Sequence, residues 1–173
     1  MSKSGWDGIL DPGEEIIWQG RPDGKIVMGI ANIIGVIFGM FFAGVALIWM
    51  VAAASSGGLF WMFGMIHFTV GLGIAFAAVY MGAYKRRNSW YTLTNRRAFI
   101  AYHFSVVGKQ LKSYPINEGT VLDFQDDELA SIFFATERRI TRKGSHTIKI
   151  GFERIANGRA VYAKFREIKR NAA

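Results

Sequence analysis

From Ile26 to Tyr84 the chain carries no Asp, Glu, Lys or Arg, a run of 59 residues in a protein of 173. An uncharged apolar run longer than about 18 residues reads as a membrane span, and one span needs about 20, so this block is long enough for two. It has one break, "AAASSGGLFW", where Ser55, Ser56, Gly57 and Gly58 bring turn-forming residues into the apolar run. The pattern predicts helix one over about 27–53 and helix two over about 59–84. Trp49 and Trp61 flank the turn, and Tyr80 and Tyr84 approach the opposite end, where amphipathic rings meet headgroups. A cleavable signal peptide does not fit. Its apolar core is about 7 to 15 residues long and sits near the start, whereas 25 polar or mixed residues come first here.

Orientation follows from the charges at the helix ends. Arg21 and Lys25 precede helix one, Lys85, Arg86 and Arg87 follow helix two, and the turn carries no charge. Lys and Arg beside membrane helices are retained on the cytoplasmic side, so both termini are expected there. The formal charge of +8 is unevenly spread: residues 1–25 hold three basic and five acidic groups, residues 85–173 hold 18 and eight. The chain therefore reads as an N-terminal cytoplasmic segment (1–25), a transmembrane hairpin (26–84) and a basic cytoplasmic domain (85–173).

Within the hairpin, small residues recur every fourth position in helix one, at Ala31, Gly35, Gly39 and Ala43. A looser set in helix two comprises Gly71, Ala75, Ala78 and Gly82. Such stripes let backbones approach closely, which is how helices associate in lipid. Hairpin packing is their first use, and a homo-oligomer through the same stripe is a second. Asn32 and His67 are the polar residues at depth, which makes them functional candidates. An interhelical hydrogen bond or a place near the headgroups accounts for both.

The C-terminal domain reads as mostly β. "SWYTLT", "RAFIAYHF", "KQLKSYPI", "GTVLDFQ", "ASIFFAT", "RRITR" and "HTIKIGF" are short and rich in β-branched and aromatic residues. Turn signals such as Val107-Gly108-Lys109 and Arg142-Lys143-Gly144-Ser145 separate them. Seven short strands predict a small barrel or sandwich. The period then changes at "NGRAVYAKFREIKR": Val161, Phe165 and Ile168 share one helical face after a cap at Asn157, and Arg159, Lys164, Arg166, Lys169 and Arg170 occupy the other. Such a helix closes one end of the barrel.

Tyr91-Thr92-Leu93-Thr94-Asn95-Arg96-Arg97 resembles the Tyr-x-Leu-Thr-Asn/Asp-x-Arg signature of bacterial pleckstrin-homology-like domain proteins that carry a pair of transmembrane helices. "LDPGEEIIWQGRP" before the hairpin, with Gly13-Glu14 and Gly20-x-Pro22, and "SYPI" at 113–116 are similar to the same family, so the resemblance covers nearly the whole chain. It implies a membrane α-helical hairpin joined to a pleckstrin-homology-like small β-barrel of about seven strands, closed by a C-terminal amphipathic helix. It also implies the bacterial inner membrane. It implies little about activity, because fold does not fix function.

By its own pattern the signature is a hairpin. Tyr91 and Leu93 point to one face, Thr94 and Asn95 favour a turn through side-chain bonds to backbone, and Arg96 and Arg97 open the next strand. Together with Lys85, Arg86 and Arg87 they are candidates for a cationic surface facing anionic headgroups or an acidic partner strand.

Catalytic readings are weaker. No Cys is present, which removes thiol catalysis, disulfides and cysteine metal sites. His67, His103 and His146 have no spacing that pairs them on one helix face. "DFQDDELA" lacks the ligand register and central glycine of an EF-hand, and no phosphate-cradling glycine motif occurs. No cofactor and no metal site is expected. Nucleic-acid binding is disfavoured too, since the alternation commits Tyr91 and its neighbours to a core and the inner leaflet is a nearer anion. The expectation is a non-enzymatic, membrane-anchored interaction or scaffold module whose partners are the lipid bilayer and another membrane or cytoplasmic protein. The alternatives are an anionic-headgroup sensor and a small subunit of a transport or envelope-biogenesis complex.

Overall fold

The computed structural model describes residues 5–105, 108–141 and 144–172. The chain forms two compact units: Gly24–Lys85, and Met1–Asp23 together with Arg86–Ala173.

The first unit is built on α1 (Ile30–Ala54), a 3-10 turn (Phe60–Met62) and α2 (Phe63–Arg87), whose last residues pass into the second unit. Each helix has 25 residues, about 37 Å of rise against a hydrocarbon core of about 30 Å. Their apolar windows are only 17% and 11% buried. A core helix of a soluble domain would cover that surface, but Phe41, Ile48 and Ile66 are left uncovered. Both helices are thus long and apolar enough to cross a membrane. Their contacts run in reverse order along the two sequences, Gly35 with Ala78, Gly39 with Ala75 and Gly71, and Ala43 with Gly71, which makes the pair antiparallel.

The second unit contains two antiparallel sheets. One has the order β1 (Ile16–Gly20), β2 (Ser89–Thr94), β3 (Arg97–Phe104), β4 (Gly108–Pro115); the other has β5 (Asp123–Gln125), β6 (Ala130–Thr141), β7 (Gly144–Ile155). α3 (Gly158–Asn171) follows. No ladder joins the two sheets among the described residues, so they do not close into a hydrogen-bonded barrel.

The core explains the fold. Tyr91 and Leu93 of β2, Ile100 of β3, Ile132 and Phe134 of β6 and Phe152 of β7 meet Val161, Phe165 and Ile168 of α3. Phe165 stacks on Phe134 at 5.3 Å between ring centroids and meets Phe152 edge-on at 5.5 Å. Fully burying a side chain of this size contributes about 1.5–3 kcal/mol. The apolar face of α3 therefore fastens the helix to β6 and β7 of the second sheet.

Three strands differ from the sequence pattern. "IIWQG" is a strand, although the alternation is too short to announce it, because its partner lies some 70 residues on, with Gly20 opposite Tyr91. "ASIFFAT" and "RRITR" are not two strands. A single β6 runs to Thr141, with register shifts between Ala130 and Ile132 and between Phe133 and Ala135 that break the alternation. Of "GTVLDFQ" only Asp123–Gln125 pairs. Val107, Arg142 and Lys143 of the expected turns lie outside the described residues, beside Gly108 and Gly144, both at positive φ. Asn157 does stand at the start of α3, but it adopts the left-handed conformation with no side-chain cap. Its carbonyl accepts the amides of Ala160 and Val161 at 3.0 and 3.2 Å.

Candidate functional site

The signature turn between β2 and β3 is where the sequence placed its candidate cations, and there the chain fastens to its own N-terminal segment. Thr94 is fully buried, and its Oγ1 accepts the amides of Arg97 at 2.9 Å and Arg96 at 3.3 Å. This is the local side-chain turn expected of threonine. The hydroxyl donates to Glu14 Oε1 at 2.6 Å. Asn95 does not serve the turn. Its Nδ2 donates to Gly13 O at 3.1 Å, its Oδ1 accepts the Glu15 amide at 3.1 Å, and its own amide donates to Glu15 O at 3.0 Å.

Glu14 is the centre of this arrangement, with a fully buried side chain. Arg97 approaches with two nitrogens, Nε to Oε1 at 3.1 Å and a terminal nitrogen to Oε2, and that same nitrogen also reaches Asp11 Oδ2 at 3.1 Å. The Asp11 amide donates to Oε2 at 2.9 Å. Burial alone would raise the pKa of this carboxyl. The hydrogen bonds from Arg97, Thr94 and the Asp11 amide, with the charge of Arg97, outweigh it and bring the value from 4.5 down to about 2. The Arg97 guanidinium lies 5.1 Å from the Phe99 ring centroid, and Trp6 meets the same ring edge-on at 5.3 Å. A carboxylate with every acceptor direction filled holds two chain segments together rather than moving a proton.

The five candidate cations do not converge. Arg97 is committed to Glu14 and Asp11. Arg96 is exposed at the turn, beside Gly13. Arg86 and Arg87 stand at the other end of β2, about 17 Å away by strand rise. Arg86 Nε donates to Asp23 O at 3.0 Å, and Arg87 O accepts from Arg21, whose guanidinium stacks over Trp90 at 4.5 Å. Lys85 is the last residue of the helical unit and is exposed. Asp23 also ion-pairs with Arg154 at 3.2 Å, while its amide donates to Arg154 O at 2.9 Å. Arg154 is held at φ 48°. The acidic loop is similarly engaged, with Asp126 paired to Arg159 and Asp123 to Lys149 at 2.7 Å. No group of three metal-ligating side chains occurs among the described residues.

In the helical unit, three of the four stripe residues meet α2. A Cβ on Gly39 would lie 2.6 Å from Ala75 N, one on Gly71 would lie 2.6 Å from Ala43 N, and one on Gly35 would lie 2.8 Å from Ala78 Cβ. Backbone-to-backbone approach at Gly39 and Gly71 is therefore the crossing point. Ala31 stands outside it and is exposed. Asn32 Nδ2 donates to Ala78 O at 2.6 Å and its Oδ1 accepts the Gly29 amide at 2.9 Å, which joins the start of α1 to α2. His67 sits between Phe42 and Phe63, with centroids at 6.1 and 5.2 Å, and its Nδ1 lies 3.4 Å from Phe63 O.

The pattern reading missed Glu14. The signal was present as "PGEE" at one end of the chain and an unmatched "NRR" 80 residues on, but nothing in the intervening sequence registers the two. Comparison of the chain with family models, with curated proteins and with solved structures finds no match.

Proposed function

We propose that this chain is a non-enzymatic interaction module: a pleckstrin-homology-like unit held at the cytoplasmic face of a bacterial inner membrane by its own helical hairpin. One observation carries the reading. Residues before the apolar block pair strand-to-strand with residues after it, Gln19 with Thr92 and Gly20 with Tyr91. Both flanks must then lie on one side of any bilayer the helices enter, which requires an even number of crossings, and two helices of spanning length supply it. The basic flanks favour the cytoplasm as that side. Seven strands and a terminal helix are what the family resemblance implies, and the strand count and final helix here support the pleckstrin-homology-like assignment.

A folded unit tethered through both ends of an insertion is suited to presenting a surface to another membrane or cytoplasmic protein. Reporter fusions at residue 56 and at the C-terminus test the topology. A periplasm-dependent reporter should be active at 56 and silent at the C-terminus, and the reverse pattern overturns the proposal. Crosslinking from the β unit in native membranes should then capture a discrete protein partner.

A further inference from the structure

Tyr91, Leu93 and Ile100 turn one face of the first sheet to the core. The opposite face carries an open cavity of about 620 Å³, within the range of roughly 300–1,000 Å³ that small-molecule sites occupy. Strand register sets its shape. Ala101 of β3 lies opposite Trp90 of β2 on one side and Leu111 of β4 on the other, so a one-carbon side chain floors a trough between two large apolar walls. One end is aromatic, where Phe99 stands opposite Thr92 and beneath the edge of the Trp6 ring. At the other end His103 stands opposite Lys109. The polar groups of the two ends differ. Trp6 is only 8% exposed, yet its Nε1 donates to nothing among the described residues. Thr92 is 4% exposed, and its Oγ1 accepts from Gln19 Nε2 at 3.2 Å while its own proton has no acceptor among the described residues. Buried donors without acceptors are costly, so this end calls for an oxygen. Lys109 is exposed and pairs with no carboxylate among the described residues, and no described carboxylate lines the cavity. That end calls for an anion.

We propose that this trough binds a planar aromatic acid, its carboxylate at Lys109, its rings over Ala101 between Trp90 and Leu111, and a hydroxyl or carbonyl oxygen at its far end toward Thr92 and Trp6. The proposal goes beyond the interaction-module reading and does not rest on it, because every residue it uses belongs to the β unit. From Phe99 to His103 the strand rises about 13 Å, the length of a bicyclic body with a polar group at each end. Trp6, Trp90 and Phe99 favour a ring over an acyl chain, since aromatic pairs gain from edge-to-face and offset contacts beyond the area they bury. An acyl chain would also leave the indole and threonine donors unanswered, and a phosphate-rich polymer would meet a single lysine here.

The full-length protein in detergent micelles, labelled with 5-fluorotryptophan, gives one fluorine resonance for each of its five tryptophans. Titration with 6-hydroxy-2-naphthoate should shift the Trp6 and Trp90 signals saturably and leave those of Trp49 and Trp61, which lie in the helical unit, in place. Lys109→Gln should weaken this binding about fivefold, the upper value for an exposed ion pair. Ala101→Leu should abolish it by filling the floor, and an unmoved Trp18 signal, from a ring packed on Phe152 at 5.5 Å, would show that the core side of the variant is intact. The methyl ester, which lacks the charge, and decanoate, which lacks the rings and the far oxygen, should bind at least about fivefold more weakly. Equal binding of the ester overturns the proposal, as does tighter binding of decanoate or undiminished binding by Ala101→Leu. So does an unshifted Trp90 signal, or a parallel drift of Trp49 and Trp61 that marks simple partition into the micelle.

Discussion

Replacing Glu14 by Gln removes the charge at the centre of the N-terminal attachment while keeping its shape. The carboxyl is fully buried, and its pKa of about 2 lies some 2.5 units below the ordinary 4.5, so its ionisation stabilises the fold by about 3 kcal/mol at neutral pH. The sign follows from the depressed value. This contribution is present in full above about pH 5, is lost as the pH falls from 4.5 toward 2, and is gone below. Glutamine loses it at every pH and leaves Arg97 with only the partly exposed Asp11, a partial loss of a buried pair of the kind that is strongly destabilising. The full-length protein in detergent micelles, unfolded by denaturant and followed by near-ultraviolet circular dichroism from Trp6 on Phe99, reports this contact directly. Glu14→Gln should lower stability by about 2–3 kcal/mol at pH 7, and the wild type should converge on the variant as the pH approaches 2.5. Glu137, also held below the usual range by its bonds from Lys112 and Tyr114, is common to both proteins and cancels in the difference. An unchanged midpoint at pH 7, or a gap that persists undiminished in acid, would refute the assignment of Glu14 as an ionised structural anchor.

Thr94→Val should cost about 1–3 kcal/mol in the same assay, because it removes the hydroxyl that donates to Glu14 and accepts two amides in a buried turn; a cost near zero would show the hydroxyl network to be incidental. Phe165→Ala should cost about 3–5 kcal/mol by opening a cavity between Phe134 and Phe152, read as a lower denaturant midpoint. Gly39→Leu should lower thermal stability in detergent more than Gly73→Leu, since a side chain at Gly39 meets backbone and one at Gly73 meets nothing within 4 Å; equal melting temperatures would remove the crossing point from the packing.

The helical hairpin and the C-terminal helix were legible because each is coded by a long local pattern: 59 uncharged residues in one case, Val161, Phe165 and Ile168 on a single face in the other. The inward positions of the signature were legible too, since Tyr91 and Leu93 do enter the core. The opposite face of the same strand was not. Thr92 and Thr94 are as buried as their neighbours, because the N-terminal segment covers them, and alternation by itself assigns such residues to solvent. The role of Arg97 was hidden for the same reason. An arginine in a basic run looks like surface charge until its carboxylate is known, and that carboxylate lies 83 residues away.

The sheet must therefore recruit β1 across the 68 residues that separate Gly20 from Ser89. Closing a flexible loop of that length costs about 4 kcal/mol in chain entropy by the logarithmic rule, whereas closing only the short links outside a formed helix pair, roughly ten residues, costs about 2 kcal/mol. Packing of α1 on α2 through Gly39 and Gly71 thus contributes about 2 kcal/mol to the docking of a strand in the other unit through chain entropy. Gly39→Leu, in a membrane where both spans remain inserted, should accordingly speed hydrogen exchange at the β1 amides of Trp18 and Gln19 by roughly ten- to thirtyfold and leave Phe133 and Phe152, in the second sheet, unchanged. Undiminished protection of β1 in a variant whose helices have demonstrably parted would show that Glu14, Asn95 and Arg97 hold the strand alone, and that the hairpin contributes nothing to the sheet it interrupts.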